Sequence, residues 1–225
     1  MALTKTIAIE GIDGSGKSVQ FKLLKESLLN MGYSVCEREF PVYDSYFGTE
    51  VGRYLTVADG VRADEVDAKS MALWFAMDRW HAMRDYKDGE FDFLVINRYV
   101  LSNAVYQSIR DIDKNNEFDT LEWIYNLEYN ILGLPKPDIN LFFDVDQSQA
   151  EANVLKKGYR SYVGDGKDVY EASHSIQHSA RDKYLEYAQR CDDIKVVSCM
   201  KNGVFLPPEE IAASVLETLK NNSII

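Results

Sequence analysis

A chain of 225 residues with 46% hydrophobic side chains holds enough apolar material for one ordinary domain carrying a short mobile insert, which excludes a disordered or fibrous protein. Its formal charge of −11 excludes a protein that neutralises long runs of nucleic-acid phosphate, since that work needs a net basic face. Cys36, Cys191 and Cys199 are too scattered for a disulfide framework or zinc-ligand spacing, so a cytoplasmic setting is expected, and no apolar stretch approaches the roughly 20 residues of a membrane helix.

In chain order, the apolar run Thr6–Ile12 predicts a buried strand and Ser18–Met31 a helix, with Gly32 placed to end it. Tyr33–Phe40 predicts the second strand, Asp64–Lys87 a long helix, Phe93–Ile96 the third strand and Leu121–Leu132 another helix. Ile139–Val145 and Ile194–Ser198 complete the strands, and Pro208–Leu219 predicts a last helix whose Pro-Pro-Glu-Glu opening suits a first turn. Strands alternating with helices imply an α/β fold, a doubly wound five-stranded parallel sheet with helices on both faces. Ligands of such sheets sit beyond the carboxyl ends of the strands. The segment 156–168 lacks an apolar period and mixes Lys156, Lys157, Arg160 and Lys167 with glycines. Its composition reads as a solvated loop, while its position between two helices suits a mobile basic lid over phosphates.

Gly11-Ile12-Asp13-Gly14-Ser15-Gly16-Lys17-Ser18 matches G-x-x-x-x-G-K-[ST] between a predicted strand and a predicted helix. Glycines let backbone N–H groups turn inward around phosphate oxygens, and the following helix, from Ser18 and Val19 onward, adds its N-terminal partial charge. Lys17 is expected to reach the β- and γ-phosphates, and Ser18 to ligate Mg²⁺. The loop names ATP or GTP. A guanine-reading Asn-Lys-x-Asp is missing, since Asp113-Lys114-Asn115-Asn116 has the wrong order, and this disfavours a GTPase switch.

With that loop in place, a wider set of residues resembles the thymidylate kinase family: Asp13 within the loop, Phe40-Pro41 after the second strand, and Leu73-Trp74-Phe75-Ala76-Met77-Asp78-Arg79 in the long helix. Asn97-Arg98-Tyr99 with Ser102-Asn103 and Tyr106-Gln107, Pro137-Asp138 through Asp144-Val145, and Asp168-Val169-Tyr170-Glu171 followed by Tyr184 extend the match over most of the chain. The resemblance implies transfer of the ATP γ-phosphoryl group to dTMP with Mg²⁺, in a homodimer, with no nucleic-acid or membrane partner. It implies that Phe75 stacks on the thymine ring, Arg79 donates to the base, Asn103 reads the base edge, and Tyr106 lies against the sugar and disfavours a 2′-hydroxyl. It further implies that Arg98 clamps the acceptor phosphate, Asp13 meets the 3′-hydroxyl, and Phe40, Pro41 and Tyr43 border the acceptor. Because Gly14 follows the loop carboxylate, the transition-state cations are expected from the lid, Arg160 first, then Lys157 and Lys167. Asn97 stands where many members carry Asp, so a carboxylate near the metal is missing, and a higher Mg²⁺ requirement with slow turnover is expected. Two alternatives stay open on sequence: a kinase for another pyrimidine nucleotide or deoxynucleoside, and a nucleotide-binding protein with little turnover.

Overall fold

The computed structural model describes residues 3–110, 118–156 and 168–225. Five parallel strands, β1 (Lys5–Glu10), β2 (Val35–Glu39), β3 (Phe93–Asn97), β4 (Ile139–Asp144) and β5 (Ile194–Ser198), form a sheet of order β2-β3-β1-β4-β5. Every residue of β3 and all but the outer residue of β1 and β4 are buried, as expected of strands covered on both faces. The edge strands β2 and β5 alternate buried with more exposed positions. Around the sheet run α1 (Lys17–Asn30), α2 (Tyr46–Thr56), α3 (Ala68–Ala82), α4 (Val100–Ser108), α5 (Thr120–Tyr125), α6 (Gln147–Lys156), α7 (Val169–Ala172), α8 (His174–Arg190) and α9 (Pro208–Asn221). Helices α1 and α9 pack together, while α4 packs against α3, α5 and α8. A two-stranded hairpin, β6 (Met200–Lys201) with β7 (Val204–Phe205), precedes α9.

Three expected boundaries move for physical reasons. Strand β1 stops at Glu10 because Gly11, at φ 146°, turns the chain into the phosphate loop. The long helix expected from Asp64 begins only at Ala68: the Asp67 carboxylate accepts from Ser70 N at 2.9 Å and caps the helix, while Asp64 pairs with Arg62 in the preceding turn. The helix expected over Leu121–Leu132 is α only to Tyr125 and then widens into a π-helix, Asn126–Ile131. Helices α2, α4, α6, α7 and α8 and the hairpin complete the described architecture beyond the elements named from sequence. Of the expected lid, residues 157–167, with Lys157, Arg160 and Lys167, lie outside the described residues.

Candidate active site

The phosphate loop is bent by Gly14 at φ 82° and Gly16 at φ 90°, backbone values that side chains penalise. Gly14 is also sterically fixed, since a Cβ there would sit 2.0 Å from the Ala150 carbonyl oxygen of α6. Asn153 of α6 donates its Nδ2–H to the Gly14 carbonyl at 2.9 Å, so α6, the helix that leads into the expected lid segment, is docked on the loop. Helix α1 starts with Gly16 at its cap, without a side-chain cap and without an acid in its first turn. A helix start left uncapped in this way suits an anion. Lys17 is buried and its Nζ donates to the carbonyls of Gly11 at 2.9 Å and Ile12 at 2.7 Å, which folds the side chain along the loop. Asp13, Gly14, Gly16, Lys17, Ser18, Val19, Asn97 and Arg98 line the cavity beside it.

A second cleft adjoins the first, with Asp13 and Arg98 lining both. Phe40, Pro41 and Tyr43 line it from the end of β2, Leu55 from α2, Phe75 and Arg79 from α3, Asn103 and Tyr106 from α4, and Asp168 and Tyr170 from the segment before α8. Phe75 and Arg79 lie one helical turn apart on α3, and both reach the cleft. The Phe40–Pro41 peptide is cis.

The polar groups of this cleft are held from behind. Arg79, only 3% exposed, donates Nε and Nη2 to the carboxylate of Glu128 at 2.5 and 2.6 Å. Burial by itself disfavours the guanidinium charge, but the fully buried Glu128 outweighs it and raises the Arg79 pKa. Asn103 Nδ2 donates to the same carboxylate at 2.8 Å and to Ala72 O at 3.0 Å, while its Oδ1 is buried without a hydrogen-bond partner. The amide orientation is thereby set, with the acceptor end left for a ligand. Tyr106 stacks on Tyr170 at 5.5 Å between centroids, and burial pushes the Tyr170 phenol up to about 12, so it stays neutral. Asp78 accepts from Val42 N and Ser45 Oγ, both at 2.9 Å, and ties the chain bordering the cleft to α3.

Asp13 and Arg98 line both cavities, and Arg98 Nη2 donates to Asp13 Oδ1. Gln177 of α8 grips Asp13 twice, accepting from its backbone N at 3.0 Å and donating to Oδ2 at 2.9 Å. Arg98 itself occupies the left-handed region at φ 62°, turning sharply out of β3 with its backbone N bonded to Ile9 O. Despite burial, the Asp13 charge raises the Arg98 pKa well above its ordinary value. Asn97, the last residue of β3, donates its Nδ2–H to Glu39 Oε2 at 2.8 Å.

Every site residue expected from sequence within the described residues, except Gly11 and Ser15, lines one of these two cavities. Sequence reasoning missed Gln177, Glu128, Asp78 and Glu39. Gln177, Glu128 and Glu39 sit in no local motif; Asp78 carried a signal only within the run Leu73–Arg79, as Asp168 and Tyr170 did only within Asp168-Val169-Tyr170-Glu171.

A glycine-bent loop at the carboxyl edge of a parallel sheet, joined to a second cleft by a shared ion pair, defines the P-loop phosphotransferase class. The family model described as thymidylate kinase matches residues 9–203. The thymidylate kinase of Mycobacterium tuberculosis is 30% identical over 188 residues, 81% of this chain and 85% of that one. A probable thymidylate kinase of Pyrobaculum aerophilum is 31% identical over 217 residues, 95% of each chain. The solved thymidylate kinase of Candida albicans superposes with a TM-score of 0.72 at 21% identity, covering 99% of this chain and 94% of that one, and so shares the fold. The chain belongs to the thymidylate kinase family.

Proposed function

We propose that the chain transfers the γ-phosphoryl group of ATP to dTMP, giving ADP and dTDP, with ATP in the loop cavity and dTMP in the second cleft. The observation that carries this reading is the Asp13–Arg98 pair, which both cavities share. A donor phosphate and an acceptor phosphate held on either side of that pair would face each other, and phosphoryl transfer asks mainly for such alignment with its charge neutralised.

Each group then has its own task. Phe75 offers its ring to the thymine face. Asn103, its nitrogen committed to Glu128, presents Oδ1 to the N3–H of a uracil or thymine ring; cytosine would set acceptor against acceptor. Arg79 keeps Nη1 for the O4 carbonyl beside it. Tyr106 lies against the sugar, Arg98 turns from Asp13 to the acceptor phosphate, and Asp13 takes the 3′-hydroxyl. Lys17 carries its charge to the transferring group, and the lid cations Arg160, Lys157 and Lys167 close over it. Mg²⁺ bound with ATP would neutralise phosphate charge; the Ser18 hydroxyl and the buried, unpartnered Asn97 Oδ1 fit an oxygen-seeking cation. Leu73 and Trp80, 45% and 44% exposed on α3, provide apolar surface for a homodimer, and three free cysteines agree with a cytoplasmic setting.

The test is ADP release with dTMP, dUMP, dCMP and UMP as acceptors. We expect kcat/KM for dTMP to exceed that for dCMP by at least about 100-fold, because a mismatched buried acceptor cannot be repaired by water, and to exceed that for UMP through the 5-methyl group and the excluded 2′-hydroxyl. Equal use of dCMP or UMP would remove the thymidylate assignment.

A further inference from the structure

We propose that Glu39 supplies the negative charge of the divalent-cation site, acting through the amide of Asn97 as a positioning residue. This rests on the phosphotransferase reading above. Glu39 ends β2, Asn97 ends β3, and the two are register partners in adjacent parallel strands. Their side chains therefore leave the same face at the carboxyl edge of the sheet, where ligands of such sheets bind.

The 2.8 Å bond from Asn97 Nδ2 to Glu39 Oε2 decides which end of the amide meets the phosphate cavity. Oδ1 is buried, has no hydrogen-bond partner, and belongs to a side chain that is 7% exposed and lines that cavity beside Lys17 and Ser18. A buried acceptor left without a donor carries a desolvation cost that a cation, or a water of its hydration shell, would offset. Donation to a carboxylate polarises the amide and draws electron density onto Oδ1, in the way that a carboxylate behind a metal-ligating histidine strengthens that ligand.

The other nearby acids are committed elsewhere. Asp13 accepts from Arg98 and Gln177, and the fully buried Glu10 accepts from Tyr99 N, Ser102 Oγ and Tyr184 Oη. Glu39 is exposed and hydrogen-bonded to the amide that faces the cavity. The carboxylate missing at the end of β3 is thus present one strand away, joined to the same position by a hydrogen bond.

The experiment is a Mn²⁺ titration followed by electron paramagnetic resonance of the free ion, on the full chain saturated with a non-hydrolysable ATP analogue. Metal-free affinity for the analogue is measured in parallel. Glu39→Ala should weaken Mn²⁺ binding about 10- to 100-fold, the range for loss of an outer-shell partner, while metal-free analogue affinity stays within about twofold. Glu39→Gln, which keeps an acceptor for Nδ2 but loses the charge, should fall between Glu39→Ala and the unaltered chain. The double change Glu39→Ala with Asn97→Asp, which returns a carboxylate to the end of β3, should recover Mn²⁺ affinity. Mn²⁺ binding indifferent to Glu39→Ala, with the analogue still tightly bound, would overturn the Glu39 assignment alone. Failure of the unaltered chain to bind the analogue would bring down the phosphotransferase reading and this one with it.

Discussion

Arg98 donates to the carboxylate of Asp13 across 85 residues of sequence, and the pair stands where the phosphate cavity meets the acceptor cleft. On the proposed function, the acceptor phosphate competes with Asp13 for the same guanidinium. Asp13→Asn keeps the shape and the backbone contact to Gln177 but removes the competing charge. We expect kcat to fall at least about 10-fold, because the 3′-hydroxyl loses its anchor, while KM for dTMP does not rise. Steady-state kinetics at saturating ATP check this split; a KM increase matching the kcat loss would show that Asp13 merely helps to bind ground-state dTMP.

Glu128 is the anion behind two polar groups of the second cleft, bonded to Arg79 and Asn103 at once. Glu128→Gln leaves the buried Arg79 charge without its hydrogen-bonded carboxylate, a change that costs roughly 3–5 kcal/mol. For a chain of this size that corresponds to a fall in Tm of about 6–20 °C. Differential scanning calorimetry reads it directly, and a Tm within 2 °C of the unaltered chain would mean that the pair contributes little.

Lys17 folds back on the loop carbonyls of Gly11 and Ile12, so its removal should leave the loop backbone standing on its glycines. Lys17→Ala is expected to cost at least about 100-fold in turnover, since a charge aimed at the transferring phosphoryl group supplies several kcal/mol. Circular dichroism should remain that of the unaltered chain. Near-normal turnover would remove Lys17 from the reaction.

Asn97→Asp has a different outcome in the structure than in the sequence. From sequence it restores a carboxylate next to the metal. In the fold it also places that carboxylate against Glu39, with the bridging N–H gone. Two like charges at hydrogen-bond distance cost about 1–2 kcal/mol when water screens them, so Tm in EDTA should drop about 2–8 °C. Mg²⁺ with ATP should restore it, and Glu39→Gln in the same background should abolish the drop. A Tm independent of metal in the single variant would separate the two side chains.

The phosphate loop was legible because its chemistry is contiguous: glycines for positive φ, then a lysine and a serine at a helix start, all within Gly11–Ser18. The central strands were legible because burial on both faces demands unbroken apolar runs such as Phe93–Ile96, and the order of strands and helices implied the parallel sheet. Phe75 and Arg79 were named through the family resemblance, and helical spacing sets residues four apart on one face. What lay beyond reach was every partner that long-range packing chose. The Glu128 carboxylate reaches Arg79 across 49 residues from a π-helix, whose wider turn departs from the 3.6-residue period. Gln177 meets Asp13 across 164 residues, and Glu39 meets Asn97 through strand register. Local propensity and spacing carry no information about which side chains a sheet register or a helix crossing will bring to hydrogen-bond distance. The sequence alone therefore determined the phosphate loop and the residue types that border the two cavities, and the tertiary structure decided which buried charges hold those groups in place and which ends of their amides are tied down.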